Sequence, residues 1–276
     1  MLSNSWHKKE KPLPTMIGLS GGATSLSSHN VKFNPASEAG KSGATHYWDL
    51  GYTGGTDQNG NYDMTSYGTV TLEQTIGDMP PGVNLARQQT TDFNSGIKND
   101  TAGFDLSGAW TVEIYVYPTY RPSSGWDGAI MQWKSGQTYN VDVWPFWNSD
   151  NQTRYDYANA GYGSRLDEDT AWGTGASPVF DTWNHIRIGR NSSNILKMER
   201  RTWDGSSWSP GTPSLGDGLA EANTGGGGPT GSGAAVTMLN SEGNSNDDYT
   251  GRGIKGYIGP CLFVAGSLRT GAPSAT

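Results

Sequence analysis

Breaking a glycosidic bond takes two carboxyl groups flanking the sugar, roughly 5–9.5 Å apart, so the glutamates are the first residues to place. Side chains two positions apart share one face of a strand. At that spacing Glu113 is followed by Tyr115 and Tyr117, and Glu199 by Arg201 and Trp203, so neither stretch supplies a second carboxylate. Asp167, Glu168 and Asp169 are consecutive, which points neighbouring side chains apart. Of the four histidines, His7 and His29 lie near the N-terminus and His46 opens a short apolar stretch. His185 sits inside an alternating run, where a hydrogen-bonded core histidine is expected. The Gly-x-Ser-x-Gly run at 18–22 falls in a small-residue linker with no strand signal before it and no helix signal after it, so no nucleophile elbow is expected. The expectation is a chain that is not an enzyme.

Binding chemistry is better represented. Trp144, Phe146, Trp147, Asn148, Asp150, Tyr155 and Tyr157 bring rings that can stack on sugars together with amides and carboxylates that can hydrogen-bond them. The competing reading is that these rings fill a core or an interface, since aromatic side chains dominate burial in both. Two loops offer hard oxygens to calcium: Asp57 with Asn59, Asn61 and Asp63, and Asp247 and Asp248 with Asn244 and Asn246. The first lacks the glutamate that closes an EF-hand loop, and solvated loop acids are the simpler expectation for both. No other cofactor is indicated.

The elements that would carry these groups are strands. The clearest is 110–118, in which Trp110, Val112, Ile114 and Val116 alternate with Thr111, Glu113, Tyr115 and Tyr117, and Pro118 is expected to end it by withholding a ladder donor. Residues 183–190 alternate in the same way, and a turn at 191–194 leads into 195–203 as a hairpin. Further strand signals fall at 46–50, 68–72, 83–85, 95–97, 128–133, 139–144, 236–239 and 254–264, with a hairpin across 134–137. Residues 148–182 read as polar and irregular, and 205–233 as a long Gly/Pro/Ser loop. No segment of useful length has helical periodicity, and there is no internal repeat.

Composition agrees. The chain of 276 residues has 40 glycines, well above the ordinary usage of about 7%, which implies many turns between short strands. Eleven tryptophans, 13 tyrosines and 6 phenylalanines must supply much of the core volume. Nineteen basic against 26 acidic residues give a net charge of −7, a poor match to nucleic acid or anionic lipid. Cys261 stands alone, so no intrachain disulfide forms. No apolar run approaches the roughly 18 residues of a membrane span, and the polar start lacks the apolar region of a secretory signal, so a soluble product made in a cytoplasm is expected.

Three stretches in order, 110–118, 183–190 with its hairpin ending at Asp204 and Gly205, and 256–259, resemble the laminin G-like branch of the concanavalin A-like lectin/glucanase fold. The resemblance covers roughly residues 45–270 and implies an all-β, jelly-roll sandwich of two antiparallel sheets. It departs from the family pattern at Tyr115, where a tryptophan is usual, and at Pro260, where an acidic residue is common. Glucanases of that fold carry a Glu-x-Asp-x-Glu run on one cleft strand, and this chain has none. The leader Trp6-His7-Lys8-Lys9-Glu10-Lys11-Pro12-Leu13, followed by a Gly-rich stretch, resembles that of virion structural proteins of marine tailed bacteriophages.

The expected organisation is an extended N-terminal arm over 1–43, with a sandwich over 44–276. The arm reads either as a disordered tail or as a docking arm anchored through Trp6, Lys8, Lys9, Lys11 and Leu13. The resemblance implies a non-enzymatic capsid or tail component, present in many copies on the virion and bound to other virion proteins by the arm. It would display the sandwich toward host-surface glycan. A free-standing lectin or adhesion module is the alternative.

Overall fold

The computed structural model describes residues 43–50, 55–68, 70–73, 80, 86–89, 96–104, 108–120, 131–135, 139–147, 152–157, 165–167, 179–193, 196–211, 234–238 and 255–270. The arm residues Trp6, Lys8, Lys9, Lys11 and Leu13 lie outside them, as do Asn148, Asp150 and the 244–248 loop. Among the described residues all regular structure is strand, and no helix is long and apolar enough to cross a membrane.

One seven-stranded antiparallel sheet contains β1 (His46–Trp48), β3 (Val70–Glu73), β4 (Ala86–Gln89), β6 (Trp110–Tyr120), β11 (Asn184–Arg190), β12 (Leu196–Thr202) and β14 (Lys255–Ala265). Its order is β12-β11-β6-β14-β4-β3, with β1 also paired to β14. The second sheet contains β2 (Thr65–Tyr67), β5 (Gly96–Phe104), β7 (Met131–Ser135), β8 (Tyr139–Trp147), β9 (Gln152–Tyr157), β10 (Arg165–Asp167) and β13 (Ala234–Met238), in the order β10-β9-β8-β7-β13-β5-β2. The fold is a β-sandwich of two antiparallel sheets.

The three stretches that carry the family resemblance are adjacent strands: β6 lies between β11 and β14 at the centre of the first sheet. Both expected hairpins, β7–β8 and β11–β12, form. Residues 148–182 are not wholly irregular, because β9 and β10 fall within them and Asp167 ends β10.

Pro118 does not end its strand. β6 runs on to Tyr120, and the proline sits where the ladder to β14 shifts: Gly256 pairs Pro118 while Lys255 pairs Tyr120. A bulge needs no regular donor, so the missing N–H costs little there. Gly256 has φ +147°, and a Cβ on it would overlap the Tyr117 carbonyl, so the bulge requires glycine. A second shift, between Ile258 and Cys261, contains Pro260 and explains how a proline is tolerated in a strand paired on both sides.

Register sorts the first sheet into two faces. Val112, Ile114 and Val116 align with Ile186 and Ile188 of β11 and with Ile258, Cys261 and Phe263 of β14. These side chains are at most 3% exposed. His46 and Trp48 join this face opposite Phe263 and Cys261. Trp48 donates its indole N–H to the Tyr62 carbonyl at 2.8 Å, and the Tyr62 hydroxyl donates to the Thr101 carbonyl of β5 at 2.6 Å. That link ties the apolar face to the second sheet, as a sandwich core requires.

Candidate functional site

The opposite face of the first sheet carries the chemistry. Alternation brings Glu113 beside Arg187, Arg187 beside Glu199, Tyr115 beside His185, and His185 beside Arg201. The result is a charge lattice. His185 Nε2–H donates to Glu113 Oε2 at 2.9 Å, and Arg187 Nε lies 3.4 Å from Glu113 Oε1. Arg187 also reaches Glu199 Oε1 at 3.3 Å, and Arg201 Nε donates to the same oxygen at 2.8 Å.

The lattice is sealed. Glu113, His185 and Arg187 are all fully buried, and Glu199 is 3% exposed. On one side residues 266–269 fold back over it: Thr111 Oγ1 donates to the Ser267 carbonyl at 2.8 Å and accepts from the Arg269 N–H at 2.7 Å. On the other side residues 203–211 cover it, and Gly211 lies so close that a Cβ would overlap the Glu199 carboxylate. Burial holds His185 below the ordinary histidine range, against the pull of the Glu113 carboxylate, so the ring is neutral. A carboxylate without access to solvent cannot reach a sugar, so Glu113 has a structural role, as its missing companion carboxylates imply.

Next to the lattice, on the same face, lies a row of rings. Tyr115 and Trp183 are 1% exposed and form its base, with Tyr117, Tyr257, Trp203 and Trp208 packed against them and only partly buried. Tyr117 meets Tyr257 and Trp183 edge-on, with centroids 6.0 and 5.6 Å apart. Trp208 lies 5.7 Å from Tyr115 and 5.4 Å from Trp203. The row therefore crosses β14, β6, the residue before β11 and the segment after β12. A tight turn supports its far end: Asp204 Oδ1 accepts from the N–H groups of Ser206 and Ser207 at 2.8 and 2.7 Å, which lowers its pKa to about 2. Three buried polar atoms here have no hydrogen-bond partner among the described residues: the indole nitrogens of Trp203 and Trp208, and His185 Nδ1. The expected hydrogen-bonded histidine is thus satisfied at one nitrogen only.

The sequence-derived glycan candidates lie on the other sheet. Trp144 and Trp147 belong to β8, Tyr155 and Tyr157 to β9, and Asn148 and Asp150 lie outside the described residues. In the ladder Tyr155 stands opposite Val143 and Tyr157 opposite Val141, whereas Trp144 stands opposite Arg154, one residue out of step. The strands bring the two tyrosines into one register and leave Trp144 in the other.

The Asp57 loop is organised from within. Asp57 Oδ1 accepts from the N–H groups of Tyr47 and Asn59, and Oδ2 from His46 Nδ1 at 2.6 Å and the Tyr62 N–H at 3.1 Å. Burial alone would raise its pKa; these donors more than offset that and hold it below the ordinary value. Asp63 Oδ1 in turn accepts the Asp57 N–H at 2.8 Å, and Asn59 Nδ2 donates to the Ala44 carbonyl. Donors converge on the Asp57 carboxylate, the reverse of a cation's surroundings. Among the described residues no group of three or more His, Cys, Asp or Glu side chains is placed to hold a metal ion.

No protein-family model matches the sequence, and no curated protein matches it. Solved structures do resemble it. One is domain 4 of an extracellular GH43 arabinanase from Geobacillus stearothermophilus in complex with arabinotriose, with 15% identity over 82% of this chain and 94% of that one and a TM-score of 0.52. A second, described as HCR/D-Sa-GBL1/C, has 12% identity over 83% of this chain and 50% of that one, with a TM-score of 0.50. A third, the binding domain of botulinum neurotoxin DC in complex with SialylT, has 8% identity over 83% and 49% and a TM-score of 0.49. This chain thus spans nearly all of the arabinanase domain and about half of the other two. At these identities the likeness is one of fold, and the fold shared with the first two is the β-sandwich.

Proposed function

We propose that the chain is a non-enzymatic glycan-binding sandwich displayed on a bacteriophage virion, as a capsid or tail accessory fixed by its N-terminal arm. The observation that carries the binding half is the partly exposed row of Tyr117, Tyr257, Trp203 and Trp208 on one sheet face. Rings held by neighbouring rings present flat apolar surface at little cost in entropy, which suits the faces of sugars. The non-enzymatic reading is supported by the burial of Glu113 and Glu199, both committed to guanidinium groups. The virion half is supported by the resemblance of the leader that contains Trp6, Lys8, Lys9, Lys11 and Leu13.

Two arms of one experiment test this. A glycan array probed with the intact chain should give binders, and sugar release from them should be absent; release would overturn the non-enzymatic reading. Particles produced with and without residues 1–43 should differ in their content of the protein. Equal incorporation would remove the docking arm and favour a free-standing lectin or adhesion module.

A further inference from the structure

The loop before β11 presents one charged group to the aromatic row. Asp181 is exposed and holds φ +52°, the only non-glycine with positive φ among the described residues. Its N–H donates to the Pro118 carbonyl at 2.9 Å, which fixes it beside Tyr117. Asn184, fully buried, braces the same turn: Oδ1 accepts the Val179 N–H, and Nδ2 donates to the carbonyls of Val179 and Thr182, each at 2.8 Å. Asp181 tolerates left-handed backbone better than most residues, yet the conformation still carries strain, and strain that a buried amide maintains at an exposed position points to use.

Three arginines of this face are committed elsewhere: Arg187 to Glu113 and Glu199, Arg201 to Glu199, and Arg269 to Glu113. The Asp181 carboxylate accepts no hydrogen bond and joins no ion pair within the described residues. Its charge is felt at Tyr117, whose hydroxyl pKa is raised by burial first and then by Asp181 and Tyr257, so that the phenol keeps its proton. A protonated phenol beside a fixed carboxylate offers a donor and acceptors to sugar hydroxyls and repels a second carboxylate.

We infer that the row takes uncharged glycan, with Asp181 accepting from its hydroxyls, and that it disfavours chains of uronic or sialic acid. The inference rests on the glycan-binding reading. The test is calorimetry of the intact chain with the best neutral and the best acidic oligosaccharide found on an array, for the wild type and for Asp181→Asn. Asparagine keeps both the left-handed backbone and the shape, so the urea midpoint should not move. The neutral ligand should bind about tenfold or more tighter than the acidic one, the order expected of one like-charge contact at a surface, and the substitution should close most of that gap. An acidic glycan as the strongest wild-type ligand, or an unchanged ratio in Asp181→Asn, overturns the inference while the glycan reading stands. Failure of both classes to bind overturns the reading itself.

Discussion

The lattice of Glu113, His185, Arg187 and Glu199 and the row of Tyr117, Tyr257, Trp203 and Trp208 share one face of one sheet, yet differ in access. The lattice holds the groups that look reactive in the sequence and is sealed beneath 203–211 and 266–269. The row holds groups that look like core filler and stays partly open. Residue type alone does not report this difference in access. A carboxylate or a histidine is functional only where solvent or ligand can reach it, and a ring is core only where something covers it.

The largest effect should come from breaking the lattice. Arg187→Leu leaves two buried carboxylates without their shared guanidinium, and removal of one partner from such a set costs about 3–5 kcal/mol. Urea unfolding measures it, and a change under 1 kcal/mol would mean that solvent already reaches the lattice. Gly211→Ala tests the seal from the covering segment. Because Glu199 is held by two arginines, its carboxylate cannot swing away from a new Cβ, and about 1–3 kcal/mol should be lost.

Acid should reach the lattice through His185. Its folded pKa lies below the ordinary 6.5 because burial disfavours the charged ring. As pH falls through 6.5 the unfolded chain takes up the proton and the folded chain does not. The contribution of His185 to stability is therefore complete above that pH and is lost progressively below it. Urea midpoints from pH 8 to 5 should show this decline, and His185→Gln should flatten it. The smallest effect belongs to the row. Trp208→Phe keeps a ring and removes a buried N–H that has no partner, so stability should stay level or rise by up to about 1 kcal/mol. A clear loss would mean that the indole nitrogen has a partner in solution.

The strands that alternate most cleanly were legible in the sequence. The 110–118 and 183–190 stretches have two unlike faces because each face meets a different environment, and they form β6 and β11 side by side. What alternation does not report is that both faces of β11 are buried, because sealing depends on 203–211 and 266–269, which have no periodicity of their own. Residues Gln152–Tyr157 and Arg165–Asp167 form strands although most of their residues are polar, since ladder pairing rather than apolar pattern defines them. Pro118 misled because a bulge is a property of two strands and is visible in neither alone.

The aromatic row was missed because its members come from four separate parts of the chain, whereas the dense run from Trp144 to Tyr157 is conspicuous. One signal was present. Tyr117 shares the phase of Glu113, Trp183 that of His185, and Trp203 that of Glu199, so once β6, β11 and β12 are placed in one sheet the rings must gather beside the lattice.

Oxidative footprinting of the intact chain, with and without a saturating neutral oligosaccharide, tests the division of this face most directly. Protection should appear at Trp203, Trp208, Tyr117 and Tyr257 and be absent at Trp144 and Trp147. Protection confined to Trp144 and Trp147, with the row as reactive as in the free protein, would contradict the account.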